Sequence, residues 1–244
     1  MKSQNFLTSQ KLINKLVRES SITAQDTVLE IGPGTGVITR ELLKITSQVV
    51  AIEIDPKFQY SAHPYIYGDF LTLPLPKKPY KVFSNIPFNI TGEIVRKLLQ
   101  SESPPSDSYL IMQKQAASKF IANSHNNTMA AILYYPWWNI HITHKFKRTD
   151  FIPPPQVDCV LLQIKARPIS LIDPKLKQTY LDFVSYHFGR DRTSKHISPR
   201  RWLEMFGGYD GKSYQGSFAK LLQQQSRLHK IHRTRTDKDW KRFR

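Results

Sequence analysis

The sequence predicts an α/β chain, with a doubly wound, mostly parallel sheet followed by a small, basic, all-α C-terminal domain. Three observations lead there. Short apolar runs alternate with helix-like stretches through the first two thirds of the 244 residues, the alternation stops after Arg167-Pro168, and positive charge accumulates beyond that point. The strands are expected at residues 27–31 (TVLEI), 49–54 (VVAIEI), 65–67, 80–83 and 109–112. Helices are expected at 37–45, 93–100, 114–121 and 129–135. Two late strands, 139–146 and 157–164, flank the stiff Pro153-Pro154-Pro155 loop and read as an antiparallel pair closing the sheet. From about Asp173 the chain reads as short helices, 174–188, 199–206 and 214–225. The domain boundary therefore falls near 170, giving a large domain over 1–170 and a small one over 171–244.

Charge narrows the class of partner. Thirty-six Lys plus Arg against nineteen Asp plus Glu give +17, which suits a polyanion such as nucleic acid. Residues 1–165 hold 18 basic and 12 acidic groups, whereas 166–244 hold 18 and 7 in a third of the length. In the tail, Arg233, Arg235, Lys238, Lys241, Arg242 and Arg244 are interleaved with His229, His232, Trp240 and Phe243. Cations there would neutralise phosphates and rings would stack on unpaired bases. With 40% apolar residues the chain can bury a core, and it has no apolar run long enough for a membrane span and no apolar leader after Met1. The expected location is the cytoplasm. A single cysteine, Cys159, excludes an internal disulfide and, among Val157, Val160, Leu161 and Leu162, reads as a buried strand residue. No spacing of His or Cys fits a metal site.

In a doubly wound sheet, ligands bind beyond the carboxyl ends of the strands, so chemistry should sit just after each strand. The first strand runs straight into 30-EIGPGTG-36. Gly32, Gly34 and Gly36 permit a tight turn and a close approach of ligand to backbone, and their G-x-G-x-G spacing differs from the G-x-G-x-x-G of pyrophosphate binding. It suits a nucleoside without phosphates, as in S-adenosyl-L-methionine. The second strand delivers Glu53, placed to accept from ribose hydroxyls, and the third is followed by 68-GDF-70, where Asp69 can accept from an adenine amine. The fourth delivers Asn85-Ile86-Pro87-Phe88. A nucleobase amine is a poor nucleophile because its lone pair is delocalised. If the Asn85 Oδ1 and the Ile86 carbonyl accept its two N–H bonds, the nitrogen is drawn toward tetrahedral geometry, while Pro87 fixes the loop and Phe88 stacks on a base swung out of its helix. A plain strand-ending turn accounts for Asn and Pro taken alone, but not for three strand-end signals in order before them.

These residues, with Gln4-Asn5-Phe6-Leu7 and 151-FIPPPQVDCVLL-162, resemble the rRNA adenine N6-dimethyltransferase family. The resemblance implies a Rossmann-like methyltransferase sheet, with Asn5, Leu7, Gly32, Glu53, Asp69 and Asn85 contacting S-adenosyl-L-methionine and Asn85 and Phe88 holding the target adenine. The Asn-Ile-Pro-Phe form, the small size and the short basic C-terminal domain resemble the erythromycin-resistance branch. That branch methylates one adenine of 23S rRNA, as protein-free or precursor RNA, and blocks macrolide, lincosamide and streptogramin B binding; a monomer is expected. Two alternatives stand beside it: a small-subunit (16S) rRNA dimethyltransferase, whose relatives usually carry Asn-Leu-Pro-Tyr, and a non-catalytic nucleic-acid-binding protein on the same fold. RNA contacts are expected at Arg96, Lys97, Lys145, Lys147, Arg148, Arg190, Arg233 and Arg235, with His187 read as a packed helix residue. The segment from Glu53 to Asp69 is short and leaves little room for a helix.

Overall fold

The computed structural model describes residues 5–58, 65–188, 190, 193–209, 214–225 and 227. They fall into two compact units. The first comprises residues 1–121 and 138–168; the second takes 122–137 and the chain from Ile169 onward.

The first unit is built on a seven-stranded sheet. In chain order its elements are β1 (Phe6–Leu7), α1 (Gln10–Arg18), β2 (Val28–Ile31), α2 (Val37–Leu42), β3 (Val49–Glu53), β4 (Tyr65–Tyr67), β5 (Lys81–Asn85), α3 (Thr91–Gln100), β6 (Asp107–Gln113) and α4 (Lys114–Ser118). After a helix that belongs to the second unit, α5 (Met129–Tyr134), the chain returns with β7 (Trp138–Lys145), β8 (Phe151–Ile152) and β9 (Cys159–Ala166). The strand order is β4-β3-β2-β5-β6-β9-β7. The first five are parallel, and β9 runs antiparallel between β6 and β7. Successive strands leave β2 in opposite directions, to β3 on one side and to β5 on the other. In open sheets of this kind ligands bind beyond the carboxyl ends of the strands at the switch point, here those of β2 and β5.

Burial explains the strand sequences. Every residue of β2 and the first six of β6 are buried, as expected for central strands covered on both faces. Strand β7, at the sheet edge, alternates Trp138, Ile140, Ile142 and His144 with exposed Asn139, His141, Thr143 and Lys145. Leu29, Val82, Leu110 and Leu162 have no exposed surface, and each such side chain contributes about 1.5–3 kcal/mol of apolar burial. Cys159 is buried in β9, where desolvation pushes its thiol up to about 11, so it stays protonated and inert.

Several expectations are corrected. The helix expected over 37–45 stops at Leu42, and the strand expected over 80–83 runs to Asn85, which makes that residue the last of β5. Helix α1 was not anticipated, although Ser9 accepts from the Leu12 N–H as an N-cap and Ile13, Leu16 and Val17 form its buried face. Nor was the antiparallel pairing of β1 with β8, Phe6 opposite Ile152 and Leu7 opposite Phe151. Helix α5 belongs to the second unit and not to the large domain expected over 1–170, because Ile132 and Leu133 are part of the apolar core of that second unit.

That second unit is helical. Alongside α5 it contains α6 (Lys177–Phe188), α7 (Pro199–Gly207) and a helix over 217–225. Its core is aromatic: Tyr180, Phe183, Trp202, Phe206 and Phe218 are buried, with edge-on contacts such as Tyr180 to Phe206 at 5.1 Å. The Tyr180 hydroxyl donates to the Ile132 carbonyl at 3.1 Å, and Asp182 Oδ1 accepts from the Phe218 N–H at 2.8 Å, capping the last helix. Ser198 caps α7 ahead of Pro199. His187 packs against Phe183 at 4.6 Å and is held below its ordinary pKa by burial and by Arg190, in line with a helix-packing role.

Candidate active site

The turn after β2 is made of glycines in the left-handed region: Gly32, Gly34 and Gly36 have φ of 68°, 52° and 70°. At Gly34 the requirement is double, because an added Cβ would lie 2.6 Å from the Phe6 ring. The turn is locked to the neighbouring strand: the Gly34 N–H donates to Glu53 Oε2 at 3.0 Å, while Oε1 accepts from the Ile54 and Asp55 N–H groups, each at 2.9 Å. A carboxylate offers about four acceptor positions, so three backbone donors leave one for a further hydroxyl. Glu53 thus shapes the cradle as well as lining it. Below it, Glu30 is fully buried and accepts from the Thr39 hydroxyl at 2.6 Å. Desolvation, reinforced by the nearby Glu53, pushes its carboxyl from 4.5 up to about 8.

Beyond β4, Asp69 Oδ1 accepts from the Leu71 N–H at 2.8 Å and its carbonyl receives the Thr72 and Leu73 N–H groups, so the acid begins a tight loop. Lys97 closes that loop. Its ammonium donates to the Phe70 and Leu73 carbonyls and lies 4.8 Å above the Phe70 ring. Burial lowers its pKa and Asp69 opposes that fall. An RNA contact was expected of Lys97; in the structure it is half-buried and its ammonium is bound to these two backbone carbonyls.

On the other side of the switch point the situation reverses. The Asn85 Nδ2 donates to the Asn5 carbonyl at 2.8 Å, whereas Oδ1 is buried and accepts no hydrogen bond among the described residues. Turning the amide over would set two acceptors face to face, so the bond to Asn5 fixes which atom is left free. An unpaired buried acceptor is costly, and one at the carboxyl end of a switch-point strand is a reserved place for a donor. Ile86 is buried, its N–H bound to the Ile111 carbonyl at 3.2 Å; Pro87 is exposed, and Phe88 is half-buried against the core. Pro87 also approaches the glycine turn, its Cδ 4.0 Å from where a Cβ of Gly32 would lie.

The fold therefore brings Gly34 to Glu53, Gly32 to Pro87 and Asn5 to Asn85. Gly36 serves instead as the N-cap of α2, and the Leu7 side chain is buried in the core. Phe6 was missed as a site residue; its ring covers Gly34 and meets Phe58 at 5.7 Å. Among the expected RNA contacts, Arg96 is half-buried on α3, Lys145 and Lys147 are exposed, and exposed Arg148 lies 3.9 Å from Asp158. In the second unit, the Arg190 guanidinium stacks 3.8 Å from the Tyr186 ring. Arg233 and Arg235 lie outside the described residues, as does the middle of the short Glu53-to-Asp69 segment.

A mostly parallel sheet with a left-handed glycine turn, a strand-end carboxylate and, among the described residues, an unpaired amide oxygen beside a proline and a ring fits a methyltransferase acting on an exocyclic amine. The chain belongs to the family described as Ribosomal RNA adenine dimethylase, whose sequence model matches residues 2–198. It is similar to an rRNA adenine N-6-methyltransferase of Limosilactobacillus reuteri, 36% identical over 192 residues that span 75% of this chain and 77% of that one. It is also similar to a Ribosomal RNA small subunit methyltransferase A of Nostoc sp., 34% identical over 217 residues, 78% of this chain and 79% of that one. Among solved structures, the 23S rRNA methyltransferase ErmE superposes with a TM-score of 0.71 at 25% identity, covering 83% of this chain and 98% of that one. No helix among the described residues is long and apolar enough to cross a membrane.

Proposed function

We propose that this enzyme transfers methyl groups from S-adenosylmethionine to N6 of one adenine in 23S rRNA, and that the modification confers macrolide, lincosamide and streptogramin B resistance. The observation that carries the chemistry is the buried, unpaired Oδ1 of Asn85. The residues present fit the cofactor: the glycine turn leaves a cradle without Cβ atoms, and Glu53 keeps one acceptor position for a ribose hydroxyl. Bound there, the cofactor supplies an electrophilic methyl group. Everything else is done by the chain. Asn85 Oδ1 and the Ile86 carbonyl accept the two N–H bonds of the adenine amine, localising its lone pair, and the half-buried Phe88 ring stacks on the flipped base. The alkylated amine is acidic and gives up one proton to water for each methyl gained, so no strong base is required.

The choice of 23S rRNA is supported by the Asn-Ile-Pro-Phe sequence and by the match to ErmE over nearly its whole length. A second reading, the small-subunit dimethyltransferase, is favoured by the Nostoc relative at almost equal identity. Incubation with tritiated cofactor separates them: label in protein-free 23S rRNA supports the first, and label only in 30S particles supports the second. No cofactor binding by calorimetry would revive the non-catalytic reading. In this scheme the chain acts as a cytoplasmic monomer. The first unit is catalytic and offers Lys145, Lys147 and Arg148 to RNA, and the basic helical unit is a second RNA-binding part.

A further inference from the structure

Residues 5–8 form a short strap held at three places. Its Phe6 ring covers the glycine turn at Gly34 and touches Phe58. The Thr8 N–H and hydroxyl both donate to the Asp150 carbonyl, at 3.0 and 3.2 Å, continuing the β1 to β8 pairing onto the loop that carries Lys147 and Arg148. That loop is itself closed by Asp150, whose Oδ2 accepts from the Lys147 N–H at 2.8 Å. Immediately before the first of these anchors, the Asn5 carbonyl accepts the Asn85 amide N–H.

We propose that the strap is a positioning element for methyl transfer, with the Asn5 backbone carbonyl as the acceptor that orients the Asn85 amide and so keeps Oδ1 aimed at the target amine. Of the hydrogen bonds that reach the Asn85 side chain among the described residues, this one comes from a segment 80 residues away. It acts through the main chain of residue 5 and not through its side chain. Without it the amide is free to rotate about its last torsion, which is broad and two-fold, so the donor and acceptor ends would exchange places. A pre-oriented acceptor costs nothing to arrange when the adenine arrives; a rotating one presents the wrong atom part of the time. The inference rests on the proposed amine-clamp role of Asn85.

The strap can be loosened without touching the site. Thr8→Pro removes both donors to Asp150 while Leu7 keeps the extended backbone that a following proline favours, and Thr8→Val removes the hydroxyl alone. Two readouts are needed: steady-state methyl transfer, and hydrogen exchange of the Asn85 side-chain amide in ligand-free protein carrying ¹⁵N-labelled asparagine. Expected are slow exchange of that amide in the native chain, fast exchange in Thr8→Pro, and a fall in kcat of about ten- to a hundredfold with the KM for RNA nearly unchanged, since misplacing a reacting group by about an ångström costs on that order. Thr8→Val should stay within about twofold of the native rate, because it keeps the backbone donor. The strap proposal is overturned if Thr8→Pro retains native kcat, or if the native Asn85 amide exchanges as fast as an exposed one. The exchange result decides even if Thr8→Pro fails to fold. Asn85→Ala separates the two readings: an inactive Asn85→Ala with an unaffected Thr8→Pro removes only the strap, whereas an active Asn85→Ala removes the clamp and the strap with it.

Discussion

The two sides of the switch point are built on opposite terms. On the β2 and β3 side, polar groups satisfy one another: Glu53 takes three backbone N–H bonds, Glu30 takes a hydroxyl, and Asp69 with Lys97 closes a loop. On the β5 side, one amide has its donor end tied and its acceptor end bare. The satisfied side gains shape from those bonds and spends most of its bonding capacity on itself. The bare side gives up stability to hold an acceptor ready. A cofactor cradle needs the first kind of construction, and a group that must engage a reacting amine needs the second.

The largest expected effect tests the bare side. Asn85→Ala should lower kcat by about 10²- to 10³-fold, the loss typical of removing one preorganised transition-state partner. Stability should change by less than about 1 kcal/mol, because the substitution removes an unpaired acceptor along with one hydrogen bond. Parallel kinetics and thermal melts check both halves, and a large drop in melting temperature would mean that Asn85 is structural. Glu53→Ala should show the converse. It strands three backbone N–H groups around a buried site, so a destabilisation of roughly 2–4 kcal/mol is expected in urea titrations, together with loss of cofactor binding.

Much of this contrast was legible in the sequence. Strands that end in glycines, an acid and Asn-Ile-Pro-Phe announce themselves, because apolar runs bury locally and the residues after them face the crevice. What was hidden depends on distant pairing. Strands β1 and β8 have two residues each and exist only because positions about 145 apart in the chain meet, so no local pattern records them. Helix α5 looks like any helix between strands; only the Tyr180 hydroxyl and the apolar face of α6 show which unit claims it. The direction in which a lysine points is equally invisible, as Lys97 shows. Helix α1, by contrast, was readable from Ser9 and the Ile13, Leu16 and Val17 spacing.

Glu30 sharpens the satisfied side through pH. A carboxyl whose pKa is higher folded than unfolded binds its proton more tightly in the folded state. Unfolding therefore releases protons between about 4.5 and 8, and stability falls as pH rises through that window. The native protein should lose on the order of 3–4 kcal/mol from this group between pH 5 and 8. Glu30→Gln, which keeps an acceptor for Thr39, should flatten the profile. Melting temperatures across pH 5–9 for both proteins test it, and parallel curves would mean that Glu30 ionises freely in the folded state.

The smallest expected effect separates shape from charge within one residue type. Lys97 and Lys147 are both cations that the sequence offers to RNA, but the first donates to the Phe70 and Leu73 carbonyls while the second is exposed. Lys97→Met keeps the apolar stem over Phe70 and removes both donors, loosening the loop that begins at Asp69. Cofactor affinity should fall by about threefold to tenfold, the equivalent of roughly 1 kcal/mol for hydrogen bonds lost at a half-buried site. The dependence of RNA affinity on salt should not move, since no phosphate contact disappears. Lys147→Ala should do the reverse, lowering the slope of log affinity against log salt by about 0.7–0.9, the amount expected for one phosphate contact, with cofactor affinity unchanged. Calorimetry with cofactor and filter binding of RNA at several salt concentrations give both numbers for both variants. A salt slope that drops in Lys97→Met would return that lysine to the RNA face and leave the Asp69 loop without its clasp.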